Sequence, residues 1–494
     1  MATLEIGSTQ HLGLGAKRGI IGYLLVGCVG LLAMMVMGLL MLLSQGKVFV
    51  LSDATVYELL TMHGTGMIGL SSLAACAVMW YFLSQYVKLS VKILIANLVL
   101  AIVGVVLVII SIFGLHFAAA WTFLYPLPEI SGGAWGKTAA AMYLSGMLLI
   151  GIGFLLFYLD SGRAILKRYG SFGVTLGWPW LTGKNKDLSQ VPPKAVIAST
   201  MVTIVNTIAM AVGAAVIVMM IINVYNPAFA IDALFAKNMI YAFGHIIANA
   251  VIYMGIIAVY ELLPKYTKRE WQPSKLFLLS WNMSTLFTLV IYPHHLLMDF
   301  AMPKWTLVLA MILSYANGIP VLVVTAYGAL MLIYRSGTKW DIASKFLFLS
   351  LFGWVAGVIP AIVDASINVN YVMHNTKWVP GHFHMYMGIG AVSMLFAFMY
   401  YLNKVDAGHQ DQPIEKVAFW IYGAFFLGLA MTFLLSGASS VPRRWAVHMP
   451  EWTIFDKFGA AFAVLIILAV FVFVVRFVTC SVHMNKRQLA MKSK

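Results

Sequence analysis

The chain has 494 residues, of which 62% are hydrophobic and only 10% are charged, and its mean hydropathy is +0.90. A soluble domain carries about 25% charged residues, so this composition excludes a water-soluble protein. The formal net charge of +15 would suit nucleic acid, but lysine and arginine are concentrated in alternate connections between apolar runs. We therefore predict an all-α polytopic protein with membrane lipid, and no nucleic acid, around it.

The apolar runs are long enough to cross a bilayer as helices, since a span needs about 20 residues. Twelve spans are predicted in chain order: 20–45, 57–84, 90–117, 136–160, 196–223, 237–262, 275–297, 303–334, 343–367, 379–402, 415–437 and 456–480. The predicted domains are an N-terminal segment (1–19) without a cleavable-signal pattern, a twelve-helix membrane domain (20–480) and a C-terminal tail (481–494). With the N-terminus inside, most of the 32 basic residues fall on inner segments, which predicts that both termini are cytoplasmic.

Half of the 12 histidines lie inside apolar sequence. When the sequence is placed in this topology, these six histidines all fall in the outer half of the membrane. Ionisable groups within a bilayer are costly and usually functional, and histidine is the commonest metal ligand. The sequence therefore predicts metal centres built from His63, His245, His294, His295, His382 and His384.

The spacing of these histidines sorts them into sites. His382 and His384 are two residues apart on a helix and point roughly 200° apart, so they serve two different sites. His63 remains to pair with one of them. The predicted arrangement contains a bis-histidine iron and a second iron with one histidine, although imidazole alone does not identify a haem.

A third site is predicted from the seventh span. His294 and His295 are adjacent and follow Pro293, which opens the helix end. They can converge on one ion with a third histidine from a neighbouring helix, and His245 is the available candidate.

Four motifs, taken with their order and spacing, resemble the catalytic subunit I of the haem–copper oxidase superfamily, and the B-type oxidases most closely. They are GH at 244–245 with LLP at 262–264, HH at 294–295, NYVMHNTKWVPGHFH at 370–384 and VPRR at 441–444. The resemblance covers essentially the whole chain. It implies a bacterial inner-membrane protein with a twelve-helix fold, two haems and a non-haem metal.

Carried over residue by residue, the resemblance assigns roles to nine positions. A low-spin haem would be ligated by His63 and His384, a high-spin haem by His382, and copper or non-haem iron by His245, His294 and His295. Arg443, Arg444 and His374 would contact haem propionates, for which guanidinium is a suitable bidentate partner.

One departure from this family concerns position 249. Oxygen-reducing members carry a tyrosine four residues after the first metal histidine and covalently joined to it, whereas this chain has Asn249. Tyr253 and Tyr260 lie farther along the helix, and Tyr292 has an unpromising position. The predicted catalytic residues are Asn249, His245 and His382.

A second departure lies in the eighth span. B-type members line a proton path there with hydroxyl groups, whereas this sequence has Val321 and Val324, and Thr325 stands one residue out of phase. A valine cannot carry a hydrogen-bonded proton chain. A shifted alignment is the alternative explanation of this difference.

Both departures favour a nitric oxide reductase of the s-type branch, because reducing two NO to N2O requires neither the tyrosine nor a long inner proton path. Glu58 and Asp364 are the candidates for proton delivery from outside. Copper is preferred over iron because no glutamate lies within a turn of His245. The alternatives are a terminal oxidase that reduces O2 to water and a haem protein or transporter without enzymatic activity.

Electrons must come from another protein, since the sequence contains neither a copper–thiolate motif nor CxxCH. We expect a membrane-anchored subunit II with a cupredoxin-like or cytochrome-like outer domain, which receives electrons from cytochrome c or a small copper protein.

Overall fold

The structure, a computed structural model, describes residues 12–492, except for the side chains of residues 321, 322 and 484–492. Twelve helices in this part of the chain are long and apolar enough to cross a membrane. They are α1 Leu14–Gln45, α2 Asp53–Leu83, α3 Val91–Gly114, α4 Lys137–Tyr169, α5 Lys194–Tyr225, α6 Ala233–Thr267, α7 Lys275–Leu296, α8 Lys304–Ile333, α9 Ile342–Asp364, α10 Trp378–Ala407, α11 Pro413–Ala438 and α12 Pro450–His483. The predicted all-α class and the twelve spans are confirmed.

The two chain ends differ in extent from the predicted segments. Of segment 1–19, residues 1–11 lie outside the described residues and α1 already begins at Leu14. At the other end the last helix continues to Lys492 through most of segment 481–494, and residues 493–494 lie outside the described part. The cytoplasmic location of both segments stays a prediction.

Three helices form the centre of the bundle. The most apolar windows of α2 and α6 are each 83% buried and that of α10 is 94% buried, whereas no other span exceeds 50%. These three helices contact one another, and the remaining spans surround them. The centre carries four of the six membrane histidines, and a helix covered by protein holds imidazoles away from lipid.

Irregular helical geometry occurs in α7, α8 and α10. A 3-10 turn covers Tyr292–Leu296, and π-helical segments cover Leu322–Tyr327 in α8 and His384–Val392 in α10. Each π segment rotates the residues that follow it relative to a regular α-helix, and such segments are frequent at functional sites.

Two connections are joined near the start of α10. The amide of Lys377 donates to the carbonyl of Val441 at 2.8 Å, and the amide of Arg443 donates to the carbonyl of Asn375 at 3.0 Å. The HNTK and VPRR motifs therefore lie side by side and close one end of the bundle.

Candidate functional site

One cavity of about 440 Å³ lies among the central helices. It is lined by all six membrane histidines, by Asn249, Tyr253 and Tyr386, and by Asp364, His374, Arg443 and Arg444. The residues predicted for separate centres thus share one continuous space.

The first group in this cavity is a cluster of three histidines. Nε2 of His295 lies 3.1 Å from Nδ1 of His245 and 3.1 Å from Nε2 of His294. The adjacent pair converges because the 3-10 turn after Ile291 replaces α-helical geometry at this point. The other ring nitrogen of His294 is bonded to Ser314 Oγ at 2.9 Å, which leaves Nε2 directed into the cluster.

This cluster fits a metal ion. The three ligand atoms lie within 4.8 Å of one another, so one ion can reach all of them. Neutral imidazole is a suitable ligand for copper, zinc or iron, whereas magnesium and calcium prefer oxygen ligands. The structure therefore brings together the predicted ligands His245, His294 and His295.

The second group is the pair His63 and His384. Their rings are nearly parallel, at an angle of 16°, and their centroids are 6.2 Å apart. Each Nδ1 lies 2.7 Å from a backbone carbonyl, that of Met34 or that of Pro380, so each Nε2 carries no hydrogen and is free to bind a metal.

This spacing fits one metal between two imidazoles. An imidazole nitrogen binds a metal at about 2 Å and lies roughly 1 Å from the ring centre, so two coaxial rings on one metal have centroids roughly 6 Å apart. The fit also depends on Gly38, where a Cβ would lie 2.9 Å from the ring of His63. The pair is suited to hold a haem iron from both faces.

His382 serves a different location from His384, as the spacing predicts. Its Nδ1 donates to the carbonyl of Gly357 on α9 at 2.8 Å, whereas His384 is anchored on its own helix. His382 is thus fixed with Nε2 available to bind a metal.

Asn249 lies beside the three-histidine cluster. Its Nδ2 is 3.1 Å from Nε2 of His245 and donates to the carbonyl of that residue at 2.9 Å. Its Oδ1 accepts a hydrogen bond from the hydroxyl of Tyr386 at 3.1 Å. The amide therefore takes the place, next to the first metal histidine, that the resemblance gives to a tyrosine.

Tyr386 is the residue that the sequence reasoning missed. It lies four residues after His382, so a regular helix would place both on one face, and that spacing was the available signal. The ring of Tyr386 packs on the ring of His382 with centroids 5.7 Å apart.

The tyrosines considered from the sequence lie elsewhere. Tyr253 lines the cavity with its ring edge-on to Trp281, at a centroid distance of 5.6 Å. Tyr292 donates to Asn238 at 3.2 Å and is not among the residues that line the cavity in the described chain.

Thr325, which stands one residue out of phase in the sequence, is directed into the bundle. Its side chain is fully buried, and its Oγ1 lies 2.7 Å from the hydroxyl of Tyr260 on α6. The π-helical segment Leu322–Tyr327 is the reason, because its wider turn shifts the register of α8 by one residue. Val324 is buried as well and brings no hydrogen-bonding group.

A group of cations lies at the end of the cavity where the two motif loops meet. Burial, and then the charges of Arg443 and Arg444, lower the pKa of His374 to about 3, so this imidazole is neutral. Burial and Arg444 also lower the pKa of Arg443, which remains a cation. Nε of Arg443 and Nδ1 of His374 are buried without a hydrogen-bond partner in the described chain. These donors fit the carboxylates of haem propionates.

The two predicted proton-delivery residues differ in position. Asp364 lines the cavity, and Asn370 donates to its carboxylate at 3.3 Å. Glu58 is buried and bonded to the exposed His116 at 2.8 Å, and it is not among the lining residues of the described chain. Only Asp364 is therefore in direct contact with the space between the histidines.

Comparison with known proteins connects this geometry to one family. Residues 18–471 match the family described as Cytochrome C and Quinol oxidase polypeptide I. The chain is similar to cytochrome c oxidase subunit 1 of Candida albicans (24% identity, 49% of this chain, 46% of that protein) and of Thermus thermophilus (23%, 45% and 43%). The matched segments span less than half the length of these two relatives. The subunit of Synechocystis is 22% identical over 80% of this chain and 70% of its own length.

A solved structure shares the fold. The cryo-EM structure of a heme-copper terminal oxidase dimer superposes with a TM-score of 0.77 over 95% of this chain and 84% of that chain, at 19% identity.

Proposed function

This chain belongs to the cytochrome c and quinol oxidase polypeptide I family, the haem–copper oxidase subunit I family, and we propose that it is the catalytic subunit of a respiratory nitric oxide reductase. Membership makes the chain a multi-pass membrane oxidoreductase of a family that uses haems and a metal at a three-histidine site. The proposed reaction combines two NO, two electrons and two protons into N2O and water.

Different residues of the cavity would bind the different cofactors. His63 and His384 would hold the low-spin haem, His382 the high-spin haem, and the three-histidine cluster a metal, for which copper is our preference. When bound, these groups would supply the redox chemistry by relaying electrons to the substrate.

Asn249 is the observation that supports this proposal. An amide next to Nε2 of His245 donates and accepts hydrogen bonds, but it cannot be oxidised as a phenol can. Reducing O2 to water takes four electrons, and the tyrosine of oxygen-reducing members supplies one of them. Reducing two NO takes only two electrons, so an amide at this position removes nothing that the reaction needs.

The proposed proton route enters from the cation-rich end of the cavity. Asp364 lines the cavity, whereas Glu58 bonds to His116 and is not among the lining residues of the described chain. We therefore favour Asp364 as the group that delivers protons from the outer side.

A terminal oxidase is the second candidate, and two observations favour it. The hydroxyl of Tyr386 reaches the site through Asn249, and Thr325 with Tyr260 retains paired hydroxyls between α6 and α8. The second departure found in the sequence therefore no longer supports the reductase, and the proposal depends on Asn249.

The proposed assembly contains a membrane-anchored subunit II with a cupredoxin-like or cytochrome-like outer domain. Cytochrome c or a small copper protein would donate electrons to it. We propose a bacterial inner membrane as the location, with both termini cytoplasmic.

Product analysis tests the function. The purified complex, supplied with a chemical electron donor and NO without oxygen, is expected to form one N2O for every two NO consumed. The variant His295→Ala, which removes a nitrogen of the metal cluster, serves as the control for chemical reduction of NO. NO loss without N2O, or equal N2O from the variant, would contradict the proposal.

A further inference from the structure

We propose that Lys377 sets the reduction potential of the low-spin haem. Its ammonium group is the positive end of a buried ion pair with Asp456, and Lys377 is the member of that pair that lines the cavity. The inference rests on the haem proposed for His63 and His384, but it does not depend on whether NO or O2 is the substrate.

The ion pair is almost completely shielded from solvent. The side chain of Lys377 is 6% exposed and that of Asp456 is fully buried. Oδ1 of Asp456 accepts a hydrogen bond from Nζ of Lys377, and Oδ2 accepts one from Nδ1 of His448 at 2.6 Å. Both oxygens thus face donors, so the carboxylate carries no proton. The adjacent negative charge favours the protonated form of the lysine.

The pair is oriented with its positive end toward the low-spin site. Lys377 lines the cavity, whereas Asp456 and His448 are not among the lining residues of the described chain. Nζ of Lys377 lies 5.5 Å from the ring centre of Phe433, and this ring packs edge-on against the ring of His384 with centroids 4.9 Å apart. A single aromatic ring therefore lies between the ammonium group and a proposed iron ligand.

The ammonium group is held in this place by residues from three helices. Oε1 of Gln45 at the end of α1 accepts from Nζ at 3.1 Å, while Nε2 of the same amide donates to the carbonyl of Trp445 at 2.9 Å. Asp456 lies on α12 and Phe433 on α11. A charge fixed by bonded and packed neighbours does not move away when the charge of a nearby group changes.

A fixed cation next to a haem stabilises its reduced state, because reduction adds one negative charge to the iron. Charges interact more strongly in a buried site than in water, and the surrounding charge and burial are means by which a protein sets a redox potential. Asp456 offsets part of the effect of Lys377. The offset is incomplete, because the ammonium group lines the cavity and the carboxylate does not.

A redox titration without NO or O2 tests the inference, so its result is independent of the product assay for the proposed function. The reduced fraction of the low-spin haem is followed by absorbance in complexes of the wild type, Lys377→Met and Lys377→Arg. Lys404→Met is the matched control, because it makes the same chemical change in a pair whose lysine side chain is 55% exposed and is screened by solvent.

We expect Lys377→Met to lower the ratio of reduced to oxidised haem roughly tenfold at a fixed applied potential, which corresponds to about 59 mV for a one-electron couple. Lys377→Arg keeps the charge, so it and Lys404→Met should stay within about threefold of the wild type. An unchanged or higher ratio in Lys377→Met would overturn the inference. An equal fall in Lys377→Arg would also overturn it, because packing rather than charge would then be the cause.

A second variant covers the case in which Lys377→Met does not assemble with haem. Lys377→Met combined with Asp456→Asn removes both charges and leaves an oxygen that accepts from His448, and replacing a buried ion pair by neutral groups is often tolerated. The ratio of reduced to oxidised haem should again fall, because the charge that lines the cavity is the lysine. A wild-type or higher ratio in this double variant would equally overturn the inference.

Discussion

The histidine pair of the low-spin site and the three-histidine cluster are held in different ways. His63 and His384 bond their outer nitrogens to backbone carbonyls, whereas His294 and His245 bond theirs to the side chains of Ser314 and Asn249. A carbonyl remains whatever residue carries it, but a side-chain partner changes with one substitution. The pair His63 and His384 is therefore fixed by the fold, while the His245 and His294 rings of the cluster are open to change by single residues.

Removal of one cluster ligand should give the largest difference between the two regions. His294→Ala is expected to abolish NO turnover, because two imidazoles cannot complete the metal site. The low-spin haem should keep its absorbance spectrum, since none of its anchors lies on α7. Loss of that spectrum in the variant would show that the regions are not independent.

Breaking a buried ion pair beside the low-spin site should cost stability and leave the reacting site intact. Lys377 bonds to Asp456 and Gln45, and both charged groups are buried, at 5% and 1% exposure. Lys377→Met leaves the Asp456 carboxylate bonded to His448 at 2.6 Å but without the lysine cation, and we expect a loss of about 3 kcal/mol.

Thermal denaturation followed by the low-spin haem absorbance measures this loss. The control is Lys404→Met, which breaks a pair between partly exposed side chains, Lys404 and Asp341, and should change stability by less than about 1 kcal/mol. Equal effects of the two variants would contradict the account of the buried pair.

The partner of His294 offers a sharper test of the comparison. Ser314→Ala removes the oxygen that holds Nδ1 of this ring at 2.9 Å. Copper affinity is expected to fall roughly tenfold, as for other partners of metal ligands, while the low-spin spectrum stays unchanged. Titration of the metal-depleted complex measures the affinity, and an unchanged value would mean that packing alone orients His294.

The smallest expected effect concerns the cations at the loops. Arg443→Gln removes a buried positive charge from the end of the cavity that fits haem propionates. Losing a cation disfavours the reduced state of the haem whose propionate it contacts. The reduction potential of that haem should therefore fall, by roughly 60 mV if the charge contributes about 1.4 kcal/mol. A redox titration measures the shift, and a rise in potential would contradict the proposed propionate contact.

The sequence predicted most of the fold because hydrophobic length alone defines membrane helices. It also predicted the sorting of the histidines, since two residues on a helix at i and i+2 cannot face one site. The burial of Thr325 against Tyr260 was beyond it, because a π-helical turn changes the register locally without a clear sequence signal.

The buried partners of Lys377 were also not predictable. The chain separates Lys377 from Gln45 by 332 residues and from Asp456 by 79 residues, so only the packed bundle brings them together. The sequence also could not distinguish Asp364 from Glu58 as proton-delivery residues. The structure distinguishes them, because Asp364 lines the cavity and Glu58 is not among the lining residues of the described chain.

The ratio of NO turnover to O2 turnover, measured on one preparation with one electron donor, tests most directly whether Asn249 makes this chain a nitric oxide reductase. We predict rapid anaerobic NO consumption with N2O as product, and slow O2 consumption by the same complex. Fast and complete reduction of O2 to water would contradict the account, and would mean that another residue, with Tyr386 nearest to Asn249, does the work of the missing tyrosine.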